Sequence, residues 1–265
     1  MHIRLSIGAV AVLASGCATV PDNQVQFGNL SDCPQQSASV LNSKQNTLGS
    51  ASTTHELECA LTTLRDTQDP SLLRTPLGSR IALHLAERNT HPQQRESLAN
   101  EGVRFADKAL ALGGAGDGAV HYYLAANLGL AVHDHPVEAA SNLQRLEREM
   151  QQAVKLNRDI DEGGPLRLLG MLYLKAPPWP TGIGDGDKAL DLLKQAVDKH
   201  PAHPLNHLFH AQALWEVEGQ DAASQAKAEF ATGLDKLSSG NWGYNKQPWT
   251  KEFDKLAREI GAPAS

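Results

Sequence analysis

At 265 residues, 41% of them hydrophobic and 20% charged, the chain has an ordinary globular composition and is long enough for one large domain or a continuous stack of small repeats. Aromatic residues make up only 5% while Ala and Leu are abundant, a balance that favours helices because these residues lose little side-chain freedom there. The net charge of -6 and the lack of a basic cluster argue against a nucleic-acid partner, whose phosphates need grouped Lys and Arg.

In chain order, Arg4 precedes an apolar run from Ile7 to Ala14, and Ser15-Gly16-Cys17 follows. The run is too short to span a bilayer and reads as a signal peptide over 1–16. Leu13 to Cys17 resembles the lipobox of bacterial lipoproteins. That resemblance implies that Cys17 is lipidated and becomes the first mature residue. With Ala18 rather than Asp after it, the resemblance also implies a periplasm-facing protein at the outer membrane. Residues 17–54 are rich in Ser, Asn, Gln and Thr and read as a lipidated Cys on a polar tether with loosely ordered structure. Cys33 and Cys59 form an even pair in an exported chain, which reads as a disulfide rather than a metal or redox site; two free thiols are the alternative.

Helical periodicity starts near His55, where Leu57, Ala60, Leu61 and Leu64 share a face behind Thr54 as N-cap. From there to residue 265 the chain repeats itself. First-helix candidates cover 80–88, 119–132, 165–175 and 204–217; second-helix candidates cover 96–112, 138–156, 188–199 and 222–237. The second helices share a small-large rhythm: Ala106 with Leu110, Leu146 with Met150, Ala189 with Leu193, Ala226 with Phe230. The run from Pro165 to Pro201 carries tetratricopeptide spacing, with Leu169-Gly170 and Tyr173, then Ala189, Leu193 and Ala196, then the Pro201 stop. Ala125 to Gly170 is 45 residues and Gly170 to Ala211 is 41, against about 34 in the standard repeat. The expected fold is therefore all-α, a right-handed superhelical stack of divergent tetratricopeptide-like hairpins, with a capping helix over 250–260.

Four features occur in order: the lipobox, YYLAANLG at 122–129, EREMQQAVKL at 147–156 and the GGPLRLLG to DGDKAL block at 163–190. Over residues 100–235 the chain resembles the T component of TRAP transporters, helical-repeat periplasmic lipoproteins. The resemblance implies a body able to form homo-oligomers, which contacts a periplasmic solute-binding protein and helps deliver hydrophobic ligands, with no cofactor.

Candidate sites lie mostly off the repeat consensus. Tyr173 and Ala189 are 16 residues apart where about 9 suffice, and the insertion holds Trp179 among Pro177, Pro178 and Pro180. Trp179 is either a rigid anchor for a partner or apolar ligand, or a lid folded back on the core. Gly182 to Asp187 fails as a phosphate loop, since no strand precedes it, no Gly-Lys-Ser/Thr follows and two carboxylates would repel an anion; Asp185 or Asp187 reads as a helix N-cap. His203, His207 and His210 share a helical face and would suit Zn²⁺ or Cu²⁺, or else pack against the neighbouring helix. Trp242, Tyr244 and Trp249 either line the end of a concave groove or seal the last hairpin. No catalytic constellation is visible. The resemblance implies a membrane-anchored interaction subunit accessory to solute uptake; the alternatives are a scaffold of an envelope assembly or secretion machine, and a metal-handling protein.

Overall fold

The computed structural model describes residues 24–34, 37–44 and 47–263; the leader over 1–16 and Cys17 lie outside these residues. Among the described residues the chain is all-α and holds no β-strand. Helix α1 (Ala38–Lys44) and helix α2 (Thr54–Asp66) open the body. Thr53, not Thr54, caps α2: its hydroxyl accepts the Glu56 N–H at 3.1 Å while the Glu56 carboxylate accepts the Thr53 N–H at 2.7 Å. This reciprocal box satisfies two orphan donors and holds the Glu56 carboxyl below its ordinary range.

Within the described part of the tether expected over 17–54 most residues stay at the surface, while Leu41 and Leu48 anchor it to the core. Leu41 and Leu48 are buried in one cluster with Leu57, Leu61, Leu77 and Ile81, and Val25 and Phe27 pack against it. These apolar residues are few and irregularly spaced among polar ones, so no periodicity announces them. Cys33 and Cys59 are bonded, with Cα atoms 5.5 Å apart across 26 residues of sequence. By loop-closure entropy such a link contributes about 3 kcal/mol, and it pins this segment to α2.

After α3 (Pro70–Leu73) come four consecutive hairpins: α4 (Leu77–Arg88) with α5 (Pro92–Ala111), α6 (Gly118–Ala131) with α7 (Pro136–Leu156), α8 (Gly164–Lys175) with α9 (Gly186–Lys199), and α10 (Pro204–Ala213) with α11 (Ala223–Ser239). Pro92, Pro136 and Pro204 each open a helix, where a missing N–H costs nothing and the fixed φ is already helical. Within α8 and α9, a Cβ on Gly170 would meet Leu193 Cγ at 2.7 Å. Only glycine permits this approach, and Ala189, Leu193 and Ala196 are fully buried at the seam. α10 stops at Ala213 rather than 217, because the chain passes there into a π-helical turn.

The hairpins share one polar device. The fourth residue of each first helix is cationic or imidazole: Arg80, His121, Arg167, His207. His121 places Nδ1 2.7 Å from Glu149 of α7 and Nε2 3.0 Å from the Ala115 carbonyl. His207 repeats this on Glu229 of α11 at 2.7 Å and the Pro201 carbonyl at 2.8 Å. In both cases the carbonyl lies six residues upstream.

The first helices also touch one another in series: α4 meets α6, α6 meets α8, and α8 meets α10. The last helix, α12 (Lys246–Ile260), packs on α10 and α11. It buries Phe253 completely against Phe230, centroids 5.5 Å apart, together with Leu256 and Ile260. Just before α12, Tyr244 lies 4.3 Å from the Arg88 guanidinium, which also donates to the Ser50 and Ser52 carbonyls. The turn before the last helix thus meets the loop before α2, and the two ends of the stack come together.

Candidate functional site

The serial contact of first helices forms one wall of a cavity of about 710 Å³, well inside the range of small-molecule sites. Residues one helical turn apart supply it: His84 and Glu87 from α4, Tyr122 and Ala126 from α6, Leu205 and Phe209 from α10. Arg167 and Leu168 come from α8, Trp249 from α12, and Trp242 from the turn before α12.

His203, the residue before Pro204, sits at the centre of an aromatic wall. Its ring lies 5.5 Å from Trp242 and 5.1 Å from Trp249, and the two indoles are 5.5 Å from each other. Trp242 is fixed in place by donating its Nε1–H to the Lys236 carbonyl at 2.9 Å. His203 is 6% exposed, and its Nδ1 is buried without a hydrogen-bond partner. Burial, reinforced by the nearby Arg167, pushes its pKa down to about 2, so the imidazole is neutral at physiological pH.

Arg167 is buried beside it. Its Nη1 donates to Asn206 Oδ1 at 2.7 Å and to the Glu162 carbonyl at 3.3 Å, and its Nη2 to the Asp161 carbonyl at 3.3 Å. Burial lowers its pKa, but a guanidinium stays charged in proteins. The turn that presents these carbonyls is unusual: Asp161 and Glu162 have φ of 46° and 51°, followed by Gly163 at 89°. Two successive non-glycine residues in the left-handed region cost free energy, and such outliers cluster at sites that need a particular geometry. The Asp161 carboxylate accepts the Tyr123 hydroxyl at 3.1 Å, which anchors the turn to α6. Around the mouth the carboxylate residues Glu87, Glu162 and Glu252 are exposed. The cavity therefore joins a deep cation, a neutral imidazole and two indole faces under an acidic rim.

No protein-family model and no curated protein matches the chain. The functional reading therefore stands on this geometry and on the sequence.

Of the residues singled out in the sequence, Trp242 and Trp249 line the cavity while their far sides pack on the last core cluster, so both readings meet in them. Tyr244 is not part of the cavity lining; it stacks on Arg88. Trp179 is 85% exposed and Pro177 and Pro178 are exposed. The folded-back alternative is thereby ruled out. Backbone bonds hold this loop in shape, from Gly184 N to Pro177 O at 2.8 Å and from Asp185 N to Tyr173 O at 3.0 Å. A Cβ on Gly182 or Gly184 would lie 2.3 Å or 2.2 Å from a carbonyl oxygen, so glycine is required at both. Asp185 caps α9 by accepting the Lys188 N–H at 3.1 Å.

The three histidines do not share one site: His207 and His210 meet at Glu229 and His203 stands apart. His203 faces the aromatic wall, His207 uses both ring nitrogens, and His210 Nδ1 stands 3.6 Å from Glu229. The His207 pKa is raised by its bond to Glu229, and the histidines in turn hold the Glu229 carboxyl at about 2. Among the described residues, the group with three metal-type ligand atoms together is Cys33, His55 and Cys59, and its two sulfurs are bonded to each other. Sequence reasoning missed Arg167, Tyr122 and Asn206. The available signal was a lone charge in the apolar PLRLLG helix start.

Proposed function

We propose that the chain is a membrane-anchored, periplasm-facing recognition protein, accessory to solute uptake, which receives an apolar ligand in the concave cavity and meets a solute-binding protein through the Trp179 loop. The cavity carries the reading: each first helix contributes to it, as expected of a right-handed superhelical stack of tetratricopeptide-like hairpins, whose inner surface binds. The His203, Trp242 and Trp249 rings support a ligand there, since they give the cavity a continuous aromatic wall. Trp179 supports a second, outward-facing contact, because a rigid exposed indole on a preorganised loop loses little entropy when covered. Lipid on Cys17 confines the search for both to a membrane surface.

Cross-linking and affinity capture from native membranes test this. The wild-type chain is expected to recover a periplasmic solute-binding protein, and Trp179→Ala to lower that recovery about tenfold, the usual scale for an aromatic anchor. Recovery of cell-wall or secretion components alone would contradict it in favour of an envelope scaffold.

A further inference from the structure

We infer that the cavity takes a monocarboxylate built on a flat ring body, with the carboxylate on Arg167 and the ring against His203, Trp242 and Trp249. This rests on the cavity being the binding site and adds the chemistry of its ligand.

The hairpins themselves point to the missing anion. The second and fourth place a histidine at the fourth position of the first helix and answer it with a glutamate on the second helix, Glu149 or Glu229. Each glutamate lies three residues after the small-large position, Leu146 or Ala226. The third hairpin keeps a cation, Arg167, but at the matching place, three residues after Ala189, it has Leu192, which packs into the core. Among the described residues Arg167 forms no ion pair, and its bonds go to neutral acceptors. Arg80 in the first hairpin likewise lacks a glutamate, Ala109 standing there, but it does not line the cavity. Asp161, Glu162 and Glu87 act on Arg167 through space without pairing with it, a buried cation without a directly bonded carboxylate is costly, and Arg167 borders open space. Its planar fork is matched to a carboxylate. His203, neutral beside it, contributes its ring face to the aromatic wall.

Size and rim charge narrow the class. Benzene fills an apolar cavity of about 150 Å³, so 710 Å³ leaves room for a fused ring and a linker. The acidic rim of Glu87, Glu162 and Glu252 repels a second negative charge, which selects a monocarboxylate over a dicarboxylate.

Calorimetry on the whole chain tests this with indole-3-propionate, its neutral amide, tryptamine and succinate. The acid is expected to bind one to one, about tenfold more tightly than the amide, as charge-assisted bonds exceed neutral ones; tryptamine and succinate are expected to give no measurable binding. Arg167→Gln should erase the preference for acid over amide. Trp249→Ala, at a half-buried wall position, should weaken acid and amide alike. Because Arg167 also holds the Asp161 to Gly163 turn, Arg167→Lys serves as the second variant and should keep the preference at reduced affinity. Amide, tryptamine or succinate binding as tightly as the acid, or an Arg167→Gln that retains the preference, would overturn the ligand class and leave the cavity reading standing. No binding of any indole would overturn both.

Discussion

Glu101→Ala is expected to destabilise the fold by about 3–5 kcal/mol, the cost of leaving one member of a buried ion pair alone. Arg65 on α2 donates Nε–H and Nη2–H to the two carboxylate oxygens of Glu101 on α5, both at 2.8 Å. The side chains are 12% and 4% exposed, so solvent screens the pair little. The same guanidinium lies 4.7 Å above the Phe27 ring. Removing the carboxylate would strand a charge between α2, α5 and the N-terminal segment, and water has little access to solvate it. In thermal unfolding followed by circular dichroism the midpoint should fall by about 10 °C for a domain of this size. The double substitution Arg65→Met with Glu101→Leu should recover much of the loss, because apolar replacement of the whole pair removes the stranded charge. A shift under about 1 kcal/mol in Glu101→Ala would mean that α2 is not fastened to the first hairpin in this way.

Stability is also expected to fall by about 2 kcal/mol on acidification from pH 6.5 to pH 4.5, and His203 is the group responsible. Its folded pKa is about 2 against about 6.5 unfolded. Between these values the unfolded chain binds one more proton, so stability drops with pH at up to about 1.4 kcal/mol per pH step. The neighbouring pair does not alter this slope. His207 has a raised folded pKa, so its contribution is fully present below 6.5 and is lost only as pH rises through the folded value. Glu229, with a pKa lowered to about 2, keeps its contribution above about 4.5 and loses it below. Denaturant melts at successive pH values should therefore show a flattened profile in His203→Gln, while His207→Ala lowers stability but keeps the slope. An unchanged slope in His203→Gln would show that the imidazole protonates in place, with water reaching its nitrogens.

Much of the fold was legible because its signals are local. Pro204 sits at a helix start beside apolar periodicity, and Gly170, Ala189, Leu193 and Ala196 mark a close helix seam by size alone; the helix read from 138 starts at Pro136. The N-terminal anchors were not legible: Phe27, Leu41 and Leu48 are scattered apolar residues in a polar stretch, packed on the core by contacts with helices that follow later. The cavity was only half legible. Trp242 and Trp249 announced themselves as aromatic, but Arg167 gains its meaning from carbonyls in a left-handed turn and from a glutamate that the third hairpin lacks. His203, His207 and His210 share a face on spacing alone, but Glu229 from α11 draws His207 and His210 to itself while His203 joins the two tryptophans. Glu229, Trp242 and Trp249 come from elements later in the chain, beyond the reach of any local motif.

The central claim is that the concave cavity holds a small ligand in the working protein. Native mass spectrometry of the chain released from its own membranes tests it most directly. The expected result is a single bound small molecule, retained by Trp179→Ala and lost from both Arg167→Gln and Trp249→Ala. A wild-type spectrum of bare chain only, or a bound mass indifferent to both cavity substitutions, would contradict it.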